Sequence, residues 1–197
     1  MNSLIRPYVL PIFRRAGDER SFAGTGFCVD GLLVTASHVL TDEAPYYVRN
    51  GSTYHPLQYQ LWHPRQVFAA DRMGFDVAFY PLPGLKSPLS LAGEDAEKGD
   101  ELEILCWQMT GGVLRQVGTR GLVTDSADED GYLKIATVNR ITHGCSGCPV
   151  FRDGKVYGII TMGRDWVDAK GMSPLGRQME ENMCWIFKVG HIRRFLR

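Results

Sequence analysis

The sequence predicts an all-β protein. Three observations carry that reading. The chain has twelve short runs rich in β-branched and aromatic residues. Gly, Pro, Asp and Asn punctuate them at short intervals, and helical periodicity is almost absent. Many short strands with turn signals between them argue for a sandwich or a barrel, not for alternating strands and helices.

The N-terminal half carries Tyr8–Phe13, Phe22–Val29, Leu32–Ala36, Tyr46–Arg49, Gln58–His63 and Val77–Leu82. The C-terminal half carries Glu101–Trp107, Val113–Thr119, Tyr132–Thr137, Pro149–Arg152, Val156–Met162 and Trp185–Val189. Asp153-Gly154 between two apolar runs is a strong hairpin signal. Helix is expected only as one turn near Ser37–Thr41 and as a short closing helix in the tail from Gly190 to Arg197. Between Tyr80 and Gly99 the pattern weakens, and Pro81, Pro83, Gly84, Pro88 and Gly93 cluster there. This predicts a first β-unit over 1–86, a linker over 87–98 and a second β-unit over 99–197. A second non-periodic stretch runs from Arg164 to Asn182, a length usually reserved for functional loops.

Composition narrows the function. With 197 residues the chain can fill one large β-domain or two small ones. Hydrophobic content is 44% and the formal net charge is zero. That balance gives no support to a nucleic-acid or anionic-membrane binder. The opening residues lack a signal peptide pattern, and no apolar run approaches the ~18 residues needed to span a bilayer. A cytoplasmic protein is expected, in the host cytoplasm if its source is viral. The five cysteines are odd in number and scattered, so a full disulfide framework is not expected and a reducing compartment fits best. Cys28, Cys106 and Cys184 read as small buried hydrophobes on strands.

Three segments carry chemistry. Gly24-Thr-Gly-Phe-Cys-Val-Asp-Gly-Leu-Leu-Val-Thr-Ala-Ser-His38 reads as a hairpin with His38 just past its second strand. In Gly74-Phe-Asp76-Val-Ala-Phe-Tyr80 a carboxylate opens an apolar strand. In Thr142-His-Gly-Cys-Ser146-Gly-Cys-Pro-Val-Phe151 a serine lies between glycines and ahead of a strand. A serine hydroxyl needs a base within hydrogen-bond reach to act as a nucleophile, and histidine is the side chain whose pKa suits that task. A carboxylate on the other ring nitrogen fixes the tautomer. Gly144 leaves the backbone free to turn so that its N–H and that of Ser146 can converge on an oxyanion. A serine in a Gly-rich turn is usually only a turn residue. The three segments together, in this order, outweigh that.

Those segments resemble the chymotrypsin-like (trypsin-fold) serine peptidases. Thr35-Ala-Ser-His38-Val is similar to their histidine motif, and Asp76-Val-Ala-Phe to their aspartate strand. Gly144-Cys-Ser146-Gly-Cys-Pro149 is similar to their nucleophile loop, and Gly158-Ile-Ile-Thr-Met-Gly163 to the strand beside their primary pocket. The likeness spans about residues 8–197. The short spacings, 38 residues from His38 to Asp76 and 70 from there to Ser146, look like the compact bacterial and viral branches.

The resemblance implies two six-stranded antiparallel β-barrels with a short C-terminal helix and a cleft between the barrels. It implies a triad of His38, Asp76 and Ser146 and an oxyanion hole from the N–H groups of Gly144 and Ser146. It also implies a primary pocket involving Arg140, Thr142, Thr161 and Gly163. The substrate would be a polypeptide, and no cofactor or metal is implied; the oligomeric state is not indicated. Arg140, six before the serine, would favour an acidic residue before the scissile bond.

Asp71 and Glu43 compete with Asp76 for the third place. The zymogen aspartate before the serine is replaced by Cys145, so activity without N-terminal trimming is expected. Cys145 and Cys148 read as bystander thiols, with a redox switch or half a metal site as alternatives. An α/β-hydrolase elbow fails, because it needs a following helix and the histidine last in order. The rival reading from another class is a catalytically idle fold that uses the groove to hold a peptide or protein.

Overall fold

A computed structural model describes residues 3–16, 19–40, 44–57, 68–69, 72–73, 76–82, 84–125, 132–139, 141–162 and 183–195. The fold is all-β, as expected, and is built on two barrel-like sheets. The first contains β1 (Val9–Ala16), β2 (Glu19–Val29), β3 (Leu32–Thr35), β4 (Tyr46–Asn50) and β5 (Thr53–Pro56). Two short strands, β6 (Phe68–Ala69) and β7 (Arg72–Met73), pair only with each other. Strand β8 (Ala78–Pro81) then completes the first sheet in the order β5-β4-β1-β2-β3-β8.

The second sheet begins with β9 (Ser90–Leu91), which pairs in parallel with a later strand. It continues through β10 (Glu101–Thr110), β11 (Val113–Asp125), β12 (Tyr132–Thr137), β13 (Pro149–Arg152), β14 (Lys155–Met162) and β15 (Met183–Lys188). The order is β13-β10-β11-β12-β15-β14-β9, and β13 also pairs with β14. That extra pairing closes six strands into a ring and leaves β9 as an added edge. Closure removes the unpaired strand edges that invite aggregation. A helix, α1 (Val189–Phe195), ends the described chain. Among the described residues no helix is long and apolar enough to cross a membrane.

Local chemistry explains the hairpins. Asp153 and Gly154 both have positive φ, 52° and 78°, between the paired residues Arg152 and Lys155. Asp30 and Gly31 repeat the pattern, 49° and 76°, between Val29 and Leu32. Positive φ at both central residues is the mark of the type I′ turn, whose twist suits a right-handed hairpin. The predicted turn at Ser37 forms as a 3-10 turn over Ser37–Leu40, and the predicted tail helix as α1. The predicted strand Gln58–His63 and the long stretch 164–182 lie outside the described residues.

The apolar cores are unequal in reach. One cluster contains only second-sheet and flanking residues, such as Ile104, Val150 and Ile186. The other begins in the first sheet with Phe27, Leu33 and Val48, and extends to Leu105, Phe151 and Phe187 of the second. Burying a large apolar side chain stabilises by about 1.5–3 kcal/mol, so this shared cluster holds the two sheets face to face. Polar bonds fix their rotation: the Trp107 indole N–H donates to the Val9 carbonyl at 2.8 Å.

Candidate active site

His38 and Asp76 meet because of strand register. Strands β3 and β8 are antiparallel neighbours, and Thr35 pairs with Ala78. Continuing that register past the end of β3 brings Ser37 and His38 beside Asp76, which precedes β8 by two residues. The carboxylate is 1% exposed and takes three hydrogen bonds. Its Oδ1 accepts from the Ser37 hydroxyl and from the His38 backbone N–H, both at 2.9 Å. Its Oδ2 lies 2.6 Å from His38 Nδ1. A buried carboxylate is costly unless hydrogen-bonded, and this one is. A carboxylate oxygen only accepts, so this contact is a bond donated by Nδ1–H. The imidazole is 24% exposed.

Ser146 is set by two consecutive tight turns. The Cys145 N–H donates to the Thr142 carbonyl at 3.2 Å, and the Cys148 N–H to the Cys145 carbonyl at 3.0 Å. In each turn only the third residue has positive φ: Gly144 at 99° and Gly147 at 82°. That is the type II pattern, which requires glycine at this place. Space demands glycine as well. A Cβ on Gly147 would collide with Thr35 Oγ1 and the Thr25 carbonyl, and would stand 2.7 Å from the Ala36 nitrogen. A Cβ on Gly144 would enter the Phe22 ring and stand 2.8 Å from the Trp107 carbonyl. The Gly-x-Ser-Gly spacing is therefore a backbone requirement.

The same loop is bound into both sheets. The Gly147 N–H donates to the Ile160 carbonyl at 2.7 Å, and the Ile160 N–H to the Cys148 carbonyl at 3.0 Å. The Thr25 N–H donates to the Ser146 carbonyl at 3.0 Å. Gly147 thus packs on Thr35-Ala36, two residues before His38. The loop that carries Ser146 is thereby held against the strand end that leads to His38, 108 residues earlier in the chain. Among the described residues, the N–H groups of Gly144 and Ser146 donate to no protein acceptor. Two unspent donors in one loop are what an oxyanion site needs.

The cysteines differ from expectation. Cys106 and Cys145 form a disulfide, so neither is the free thiol the sequence predicted. Strand β10 carries Cys106 to the loop, and their Cα atoms are 5.0 Å apart across 39 residues of chain. The Gln108 amide donates to Cys145 Sγ at 3.1 Å. Cys28, Cys148 and Cys184 are free and buried, as read for Cys28 and Cys184. Burial, and then the neighbouring Cys184, push the Cys148 thiol well above its usual pKa. Cys148 is thereby a neutral, poor nucleophile, and Cys145 has no thiol to offer. Among the described residues no group of His, Cys, Asp and Glu could hold a metal ion.

Of the predicted pocket residues, Thr142 opens the first turn and is exposed, while Thr161 is buried on β14 next to Ile160. Arg140 and Gly163 lie outside the described residues, as do Asp71 and Glu43. Sequence reasoning missed Ser37 and Thr25. The first had a signal, since it adjoins His38 in the histidine motif. The second had only its place between two glycines.

Residues 24–159 match the model of the trypsin-like peptidase domain. The chain belongs to that family of serine endopeptidases. No curated protein matches it in sequence. Its fold is similar to that of the Rv3671c protease from M. tuberculosis in its active form, with TM-score 0.72 and 19% identity. That match covers 98% of this chain and 80% of the other. It is also similar to a serine endoprotease from Yersinia pestis, with TM-score 0.69 and 16% identity, covering 98% of this chain and 62% of that one. HL collagenase aligns with TM-score 0.70 at 15% identity, over 96% and 91% of the two chains.

Proposed function

We propose that the chain hydrolyses peptide bonds through a Ser146–His38–Asp76 triad and an acyl-enzyme. The 2.6 Å contact of His38 Nδ1 with the buried Asp76 carboxylate carries this reading. With the proton on Nδ1, His38 Nε2 takes the Ser146 hydroxyl proton as the oxygen attacks the substrate carbonyl. The oxyanion that forms is received by the N–H groups of Gly144 and Ser146. His38 then returns the proton to the leaving amine, and the C–N bond breaks. Water repeats the sequence on the acyl-enzyme and frees Ser146. Polypeptides are the substrate class.

Arg140 gives the finer proposal. A guanidinium six residues before the nucleophile pairs bidentately with a carboxylate and disfavours a basic side chain. Thr142 and Thr161 add hydrogen-bonding groups near the same loop. The preferred residue before the scissile bond is then Asp or Glu. The test is a set of peptides that differ only at that residue, run with wild type and Arg140→Ala. An acidic preference that vanishes in the variant supports the proposal. A preference for Lys, Arg or large apolar residues, or an acidic preference that survives, refutes it.

A further inference from the structure

Thr25 lies in β2 between two glycines, and its side chain is completely buried. All of its polar groups are engaged, by the Ser146 loop, by β10 and by β3. Its hydroxyl donates to the Gly144 carbonyl at 2.6 Å and accepts the Trp107 N–H of β10 at 3.0 Å. Its N–H donates to the Ser146 carbonyl at 3.0 Å. Its carbonyl accepts the Thr35 hydroxyl at 2.7 Å. A hydroxyl has one proton to give, and the Trp107 N–H can only be accepted, so the direction of the bond to Gly144 is settled.

The two carbonyls that Thr25 holds bracket the Ser146 nitrogen. Holding the Gly144 oxygen sets the peptide plane from Gly144 to Cys145. Holding the Ser146 oxygen sets the plane from Ser146 to Gly147. The plane between them carries the Ser146 N–H. One residue of the first sheet therefore orients the loop of the second sheet on both sides of that donor. We propose that Thr25 is a positioning residue for the oxyanion loop, acting through its hydroxyl to keep the Gly144 and Ser146 N–H groups aimed at the substrate carbonyl. The proposal rests on the reading of Ser146 as nucleophile.

The contrast that tests it is Thr25→Val, which keeps the shape and loses the hydroxyl, against Thr25→Ser, which keeps the hydroxyl. Active sites are first counted with a fluorophosphonate, so that turnover is read per competent site. A displaced donor weakens transition-state binding and spares substrate binding. Thr25→Val should lower kcat roughly 10–100-fold with KM within about twofold, less than the loss on deleting an oxyanion donor outright. A peptide boronic acid, which binds as a tetrahedral adduct, should lose affinity in parallel. Thr25→Ser should stay within about threefold of wild type on both readouts, and the pH profile should not move, because His38 and Asp76 are untouched.

Unchanged kcat per site in Thr25→Val, or equal defects in Val and Ser, would overturn the proposal. If Thr25→Val does not fold, Thr25→Ala supplies the same comparison without overpacking. Ser146→Ala is measured beside them. Residual labelling and turnover there would defeat the nucleophile reading itself, a result separate from any Thr25 defect.

Discussion

The His38 segment and the Ser146 loop are held by different physics. In the first sheet, register and side-chain chemistry do the placing: β3 and β8 align, and a buried carboxylate gathers Ser37 and His38. In the second sheet, backbone conformation does it: two glycines at positive φ form two turns, and carbonyls and N–H groups tie the loop down. The difference separates two kinds of vulnerability. The His38 half depends on which atoms carry protons. The Ser146 half depends on whether a chain can pass through a space with no room for a side chain.

The largest effect should come from breaking the backbone half. Gly147→Ala places a Cβ against the Thr25 carbonyl of β2 and the Ala36 nitrogen just past β3, at a φ that costs an L-residue about 1–2 kcal/mol before any clash. Activity should fall to background, and the midpoint of urea unfolding should drop with it. A variant that retains full stability would show that the loop has other ways through.

Breaking the other half should separate activity from stability. Asp76→Asn preserves shape, and its amide oxygen can still accept from Ser37 and the His38 N–H. Its NH₂ group then faces Nδ1 and forces the proton onto Nε2. The expected loss in kcat is roughly 10³–10⁴, with unfolding free energy changed by no more than about 1 kcal/mol. Equal losses of stability in the two variants would erase the distinction between the halves.

The sequence exposed the His38 half more fully than the Ser146 half. A histidine after a strand and a carboxylate before one are local signals, and each segment could be read alone. The glycines around Ser146 were equally visible, but what they pack against was not. Thr25 is 121 residues before Ser146, and its hydroxyl meets Gly144 only once the sheets have docked. The Cys106–Cys145 bond was hidden for a similar reason: an odd count of scattered cysteines argues against a framework, yet says nothing about one pair brought together by β10. Strand β9, two residues long and paired in parallel, lies where Pro and Gly gave only a linker signal. Fold class was legible because runs of β-branched and aromatic residues, with turn residues between them, recur along the chain.

The smallest effect sharpens the choice of nucleophile. Burial pushes the Cys28 thiol up to about 12 and raises Cys148 and Cys184 as well. A thiol is neutral below its pKa, so at pH 8 Cys28 is thiolate in only about one molecule in 10⁴. Iodoacetamide at pH 8 without reductant should leave activity within about 10% of the untreated enzyme, because the thiolate is the species it attacks. Rapid inactivation, with one carboxamidomethyl group on Cys148, would place the reactive group two residues from where it has been assigned.

Ser146 is the group proposed to be acylated. The direct measurement is to react the full chain with a fluorophosphonate, digest it, and locate the adduct by mass spectrometry. The predicted result is one phosphonyl group per molecule, on Ser146, with activity lost in proportion and no adduct in Ser146→Ala or in urea-unfolded protein. An unlabelled but folded protein, or an adduct on any other residue, would contradict it.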